Sequence, residues 1–309
     1  MKCLDPRALV DRLAEAFQLH SLREDDDSLP STDFEMGSGT LSTSRLAAME
    51  GVPAYAVKLE SRIPTRNPSI SGLLHLYDQK TGDLLAVMES SHISSLSSAL
   101  IGALASDLLA VPDAASVAVV GNGTQGWLGL RFLMEMRTLE QVTLFDLNRR
   151  KSRRTAQRLE KYSGLKVKVC DSLTQAVCQA DIVCCATWSQ RPFLFSEMVK
   201  PGAHVSTLGS DGSGKCELSK ELLQSSSFFC DDRNLAVSVG ALSGLKEGKE
   251  RIKAELGQIL AGHKPGRLSD EEITVYAPVG LPFVDLIAAF ETYRRARRKK
   301  IGRTLGFLD

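Results

Sequence analysis

The chain has 309 residues, 43% hydrophobic and 24% charged, with 38 basic and 37 acidic side chains; this is a globular composition, long enough for one large domain or two of middling size, and it excludes disorder. A net charge of +1 leaves no global attraction for nucleic acid or an anionic membrane, so a partner has to be argued from a local site. No stretch approaches roughly 18 uninterrupted apolar residues, and Asp5 and Asp11 stand where a secretory signal needs its apolar core, so a cytoplasmic location is expected, with neither nucleic acid nor membrane as a partner.

Residues 5–18 set Leu9, Val10, Leu13, Ala16 and Phe17 on one face of an amphipathic helix. The stretch 24–40, EDDDSLPSTDFEMGSGT, is polar and aperiodic and is expected as a loop. Two strand-like runs follow, VPAYAVKLE and ISGLLHLYD, and Thr81-Gly82-Asp83 joins Leu76-Tyr77 to Leu84–Val87 as a hairpin. A Ser- and Ala-rich helix is expected over Ile93–Leu109. After Val111-Pro112-Asp113 the pattern becomes strand, turn, helix, repeated through SVAVVG, GWLGLRFLMEM, QVTLFDL, RRKSRRTAQRLEKY, LKVKVC, LTQAVCQA, DIVCCAT and AHVSTLG. Short apolar runs alternating with helices predict an α/β fold with a parallel sheet covered on both faces. A last amphipathic helix, Phe283–Lys299, ends in RRARRKK, which reads as a solvated helix end complementing the macrodipole. The seven cysteines contain no C-x-x-C pair, so reduced core thiols are expected and no metal site.

The strongest chemical signal is Gly121-Asn122-Gly123-Thr124-Gln125-Gly126, a G-x-G-x-x-G between the apolar strand Val117–Val120 and a helix predicted from Trp127. Gly121 permits the tight turn, Gly123 lets the backbone approach a pyrophosphate, Gly126 lets the helix pack on the strand, the helix N-terminus supplies N–H groups that attract the anion, and Thr124 and Gln125 in the turn join the expected cofactor-binding residues. Asp146 lies 20 residues beyond Gly126, at the end of QVTLFD, where a carboxylate bonds ribose hydroxyls and repels a 2′-phosphate. NAD is therefore the expected cofactor, with NADP open because Asn148, Arg149 and Arg150 follow at once. Asp146 also reads as a helix N-cap. Thr187, ending DIVCCAT, and Gly280, in APVGLP, complete the expected cofactor set.

Four stretches, AVKLESRIPTRNP, VVGNGTQG, LGSDGSGKCEL and AELGQILAGHKPGRLSDEEITVYAPVGLPFVDLIAA, make the chain resemble the ornithine cyclodeaminase and mu-crystallin family, in that family's order. The resemblance implies a substrate and dimerisation domain, 1–111 completed by the C-terminal helix within 283–309, and a central Rossmann dinucleotide-binding domain, 112–282, in a homodimer. It implies reduction of imines or oxidation of amino acids and amines with NAD(P)H. Two other family activities stay open: a cyclodeaminase lyase using bound NAD, and a non-catalytic ligand-binding role. Lys58 matches the family's pocket lysine and Asp211 its acidic residue; each also has a plain reading, a strand lysine with a solvated head and a turn former among glycines. Two family arginines that grip the substrate carboxylate are missing: Ser97 stands at the place of one, and Ser31-Thr32-Asp33 follow Pro30 where the other is usual. The substrate is then anchored by Arg62 or Arg66 near Lys58, or is an esterified, amidated or peptide-borne imine or amine without a free carboxylate.

Overall fold

The computed structural model describes residues 5–22, 31–36, 40–63, 66, 69–162, 164–210 and 214–306. In chain order the first elements are α1 (Pro6–Ser21), β1 (Ser31–Met36), β2 (Thr40–Ala48), β3 (Ala54–Arg62), β4 (Ile70–Asp78), β5 (Leu84–Glu89) and α2 (Ser90–Leu109). The rest are β6 (Ser116–Val120), α3 (Thr124–Met136), β7 (Gln141–Phe145), α4 (Arg149–Leu159), β8 (Lys166–Val169), α5 (Leu173–Val177), β9 (Ile182–Cys185), β10 (His204–Thr207), α6 (Lys220–Ser225), β11 (Ser227–Cys230), α7 (Arg233–Ser238), β12 (Ile252–Glu255), α8 (Leu256–Leu260), β13 (Thr274–Tyr276) and α9 (Pro282–Lys299). Contacts divide the chain into two compact units, Met1–Leu13 with Glu24–Ser97 and Pro282–Asp309, and Ala14–Arg23 with Ser98–Leu281.

The first unit is built on a five-stranded antiparallel sheet in the order β1-β2-β3-β4-β5. Alternation along β3 buries Ala54, Ala56 and Lys58 on one face and exposes Leu59 on the other. The buried face continues through Leu74 and Leu76 of β4 and is covered by α9, which brings Phe283, Leu286 and Ile287. Arg295–Asp5 at 3.2 Å and Arg12–Glu291 at 3.8 Å tie the C-terminal helix to the start of α1. The opposite face carries the exposed side chains of Leu59, Leu73, Leu84 and Val87 beside the stacked rings of Tyr55 and Tyr77.

Ser31–Met36, inside the stretch read as a loop, is strand β1, paired from Ser31↔Arg45 to Met36↔Thr40. The ladder to β2 supplies the order that local periodicity does not announce, and β2 itself has few large apolar residues to mark it.

The second unit holds an eight-stranded sheet in the order β12-β11-β13-β10-β9-β6-β7-β8, every pairing parallel. Its central strands β9 and β10 are buried throughout, as a sheet covered on both faces requires. β11, β12 and β13 extend the sheet beyond the expected alternation. Cys184 and Cys185 pack in β9, where burial pushes the Cys184 thiol up to about 12 and Cys185 well above its ordinary range; the described cysteines are free. Among the described residues α2 is the helix long and apolar enough to cross a membrane, yet most of it is packed inside the protein. Strand order turns at β6, with β7 on one side and β9 on the other, so a crevice opens beyond the carboxyl ends of β6 and β9.

Candidate active site

The turn after β6 lies at that crevice. Gly121 has φ +90° and a side chain there would stand 2.4 Å from the Ala186 carbonyl oxygen, so the turn needs glycine on both counts. A Cβ on Gly126 would meet the Gly121 carbonyl at 2.0 Å, which is the close packing of helix on strand. Gly123 differs: it is the N-cap of α3, has extended backbone at φ −79° and ψ −160°, makes no side-chain cap bond, and a Cβ there would enter open space. Backbone N–H groups at the start of α3, which begins at Thr124 rather than Trp127, therefore lack a side-chain cap, and the adjoining Asn122 Oδ1 and Gln125 Oε1 are buried without a hydrogen-bond partner. An uncapped helix start with room above a glycine fits a phosphate-bearing ligand.

Asp146 sits just past β7, half-buried, with Oδ2 accepting from Asn122 N–H at 2.8 Å and Oδ1 from Asn148 N–H at 2.7 Å. It is not the helix cap. Asn148 caps α4, accepting from Arg150 N–H at 3.1 Å, and Arg149 pairs with Asp171. The carboxylate is thus fixed against the glycine turn while its remaining lone pairs stay available.

Beyond β9, Thr187 donates from both its N–H and its hydroxyl to Glu217 Oε1, each at 2.7 Å. The other Glu217 oxygen accepts from Thr207 Oγ1 at 2.6 Å and Gly209 N–H at 2.9 Å. Glu217 is fully buried, and desolvation holds its carboxyl above the ordinary range against the pull of those donors. Sequence reasoning passed over it, although one acidic residue within CELS, just after a glycine-rich turn, was the available signal. Asp211 lies outside the described residues. Gly280 has φ +93° and gives its N–H to Asp231 Oδ2 at 2.6 Å. Asp231 also accepts from Val279 N–H, and burial still pushes its carboxyl up to about 6. The Gly280 N–H is therefore already taken, and what the residue contributes is its backbone shape.

In the first unit Lys58 points from β3 onto the face covered by α9 and is 7% exposed. Its ammonium donates to Asp285 Oδ2 at 2.5 Å and Ser94 Oγ at 3.1 Å, and stands 3.1 Å from Glu60 Oε2. Desolvation opposes the charge, but the fields of Asp285 and Glu60 win and hold the ammonium above its ordinary range. Ser97 is fully buried, with its hydroxyl 3.1 Å from Asp285 Oδ1 and 3.2 Å from the Ser94 carbonyl oxygen. The structure thus joins Lys58 and Ser97 through Asp285, Glu60 and Ser94, which sequence reasoning had not singled out. Arg62 lies four residues further along the same strand face, about 13 Å in strand rise, and Arg66 is exposed in the turn beyond, its N–H bonded to the Ile63 carbonyl.

The model of the ornithine cyclodeaminase/mu-crystallin family matches residues 13–300. The chain belongs to this family. A Bacillus cereus Δ1-pyrroline-2-carboxylate reductase is 31% identical over 268 residues, 84% of this chain and 82% of that one. Among solved structures, Thermococcus litoralis Δ1-pyrroline-2-carboxylate reductase, in complex with NADH and L-proline, superposes with a TM-score of 0.90 at 26% identity, covering 98% of this chain and 97% of that one. An archaeal alanine dehydrogenase dimer with bound NAD gives 0.90 at 26% identity, covering 99% and 96%.

Proposed function

We propose that this family member is an NAD-dependent oxidoreductase acting on a C–N bond, an imine reductase or amine dehydrogenase with an atypical substrate. The observation that carries the reading is the uncapped start of α3 beneath the open space at Gly123, in a family whose relatives hold NAD and NADH and act on imines and amino acids. Gly121, Gly123, Thr124, Gln125 and Gly126 hold the pyrophosphate, Asp146 the ribose, and Thr187 and Gly280 shape the rest of the dinucleotide site, with Asn148 and Arg149 at its edge. NAD, when bound, supplies or takes the hydride. Reduction places that hydride on the imine carbon and a proton on nitrogen, and Asp211 is the group we assign to stabilise the iminium and relay the proton. Lys58 and Ser97, with the carboxylates and hydroxyls around them, orient the substrate; Arg62 and Arg66 steer it from outside. The dimeric relative supports a homodimer, for which we assign the exposed face of the antiparallel sheet.

The test is incubation of the purified protein with NADH or NADPH and cyclic and acyclic imines, following loss of reduced-nicotinamide absorbance. Net oxidation is expected, and Asp211→Asn should lower turnover about 100-fold or more without changing NADH affinity. Ammonia release from diamino acids without net cofactor change would replace this reading with the lyase, and dinucleotide binding with neither reaction would replace it with a binding role.

A further inference from the structure

Resting on the proposed C–N oxidoreductase reading, we propose that its substrate carries no free carboxylate on the carbon beside the C–N bond, because Glu60 supplies from the protein the carboxylate that completes the shell of Lys58. An ammonium has three N–H donors and no acceptor. Those of Lys58 have three partners within reach, Asp285 Oδ2, Ser94 Oγ and Glu60 Oε2. The third partner is itself held in place: Glu60 Oε1 accepts from the fully buried Ser90 hydroxyl at 2.9 Å. Asp285 is held in the same way by Ser94 and Ser97.

No ligand charge is needed to neutralise Lys58: among the described residues its ammonium already stands against two carboxylates, Asp285 and Glu60. An incoming carboxylate would have to displace Glu60 from Lys58 and add a third negative charge beside two largely buried ones, with burial denying it water. A neutral group meets no such opposition: an amide N–H can donate to the outer carboxylate lone pairs and to the serine hydroxyl oxygens. Ser97 contributes a hydroxyl where a carboxylate-gripping site would need a full positive charge. The substrate class that fits is a carboxamide- or peptide-borne imine, or the corresponding amine in the reverse direction.

The decisive measurement is calorimetric binding of acid–amide pairs, L-proline with L-prolinamide and L-alanine with L-alaninamide, to the NADH-saturated full chain. In the wild type at least one amide should bind 10-fold or more tighter than its acid. Glu60→Gln, which keeps the shape and removes the charge, should shift that ratio at least 10-fold toward the acid, and Ser90→Ala, which frees Glu60, should move it the same way. Equal or tighter binding of the acids by wild type overturns the proposal, as does an unchanged ratio in a folded Glu60→Gln protein or silence from every pair. Rapid NADH oxidation by Δ1-pyrroline-2-carboxylate would overturn it and leave the reductase standing. Selective amide binding with no reduction of any imine would support it and remove the reductase instead.

Discussion

A valine at Gly123 meets open space and an extended backbone at φ −79°, whereas one at Gly121 or Gly126 meets a carbonyl oxygen at 2.4 or 2.0 Å. The same substitution therefore separates binding from folding. Gly123→Val should melt near wild type and lose at least ~10-fold in NADH affinity, about 1.4 kcal/mol, while Gly126→Val should lose stability first; fluorescence titration and thermal melting read the two. If the folded Gly123→Val protein kept its affinity, the dinucleotide would lie elsewhere. Asp146 makes a second test. With Arg149 paired to Asp171 and Asn148 spent on capping α4, the residues able to welcome a 2′-phosphate are partly occupied. Wild type should prefer NADH to NADPH, and Asp146→Ser should narrow or reverse the preference; an NADPH preference in wild type would return the role to the basic start of α4. The glycine spacing and the acid 20 residues on were legible because they are local. Glu60, Asp285 and Glu217 were not, because Asp285 meets Lys58 227 residues away and Glu60 and Glu217 take partners on other elements that only the fold brings beside them.

At the scale of single elements, β10 carries His204, fully buried, with Nδ1 3.0 Å from Thr274 Oγ1. That hydroxyl reaches the Leu109 carbonyl and accepts from Arg267, whose guanidinium also bonds the carbonyls of Leu109, Ser269 and Glu272. Burial first, then the fields of Arg267 and Arg137, lower His204 from 6.5 to about 3. A group depressed in the folded state contributes stability that is present above its unfolded value and lost as pH falls toward the folded one. Since each unit is worth about 1.4 kcal/mol, His204 should remove about 3 kcal/mol between pH 6.5 and 4. Urea unfolding across that range should show the loss in wild type, and His204→Gln, less stable at neutral pH, should show a flatter profile. A profile equally steep in both would mean that other groups carry the acid sensitivity.

For the whole molecule, exposed Leu59, Leu73, Leu84 and Val87 lie on one face of the antiparallel sheet with the Tyr55–Tyr77 stack. This is the face assigned to the homodimer proposed above, in which an isologous pair would cover it in both copies at once. Light scattering at micromolar concentration should give twice the chain mass, and Leu59→Asp should give a folded monomer, since Leu59 is 50% exposed and its loss opens no cavity. A monomeric wild type would contradict the assignment.

Read alone, the sequence determined the parallel α/β unit, the glycine turn, the hairpin at Thr81–Asp83 and the last helix, because each depends on periodicity or turn chemistry within a few residues. It also exposed the serine at position 97 where relatives were expected to carry a cation. Tertiary structure alone decided three things. Ser31–Met36 is a strand because β2 pairs with it. Asn148, not Asp146, caps α4 because the glycine turn holds the Asp146 carboxylate. Lys58 meets Asp285, 227 residues away, because α9 packs on the sheet. The energetics of a buried charge are set by the groups within a few ångströms of it, and only the fold chooses those.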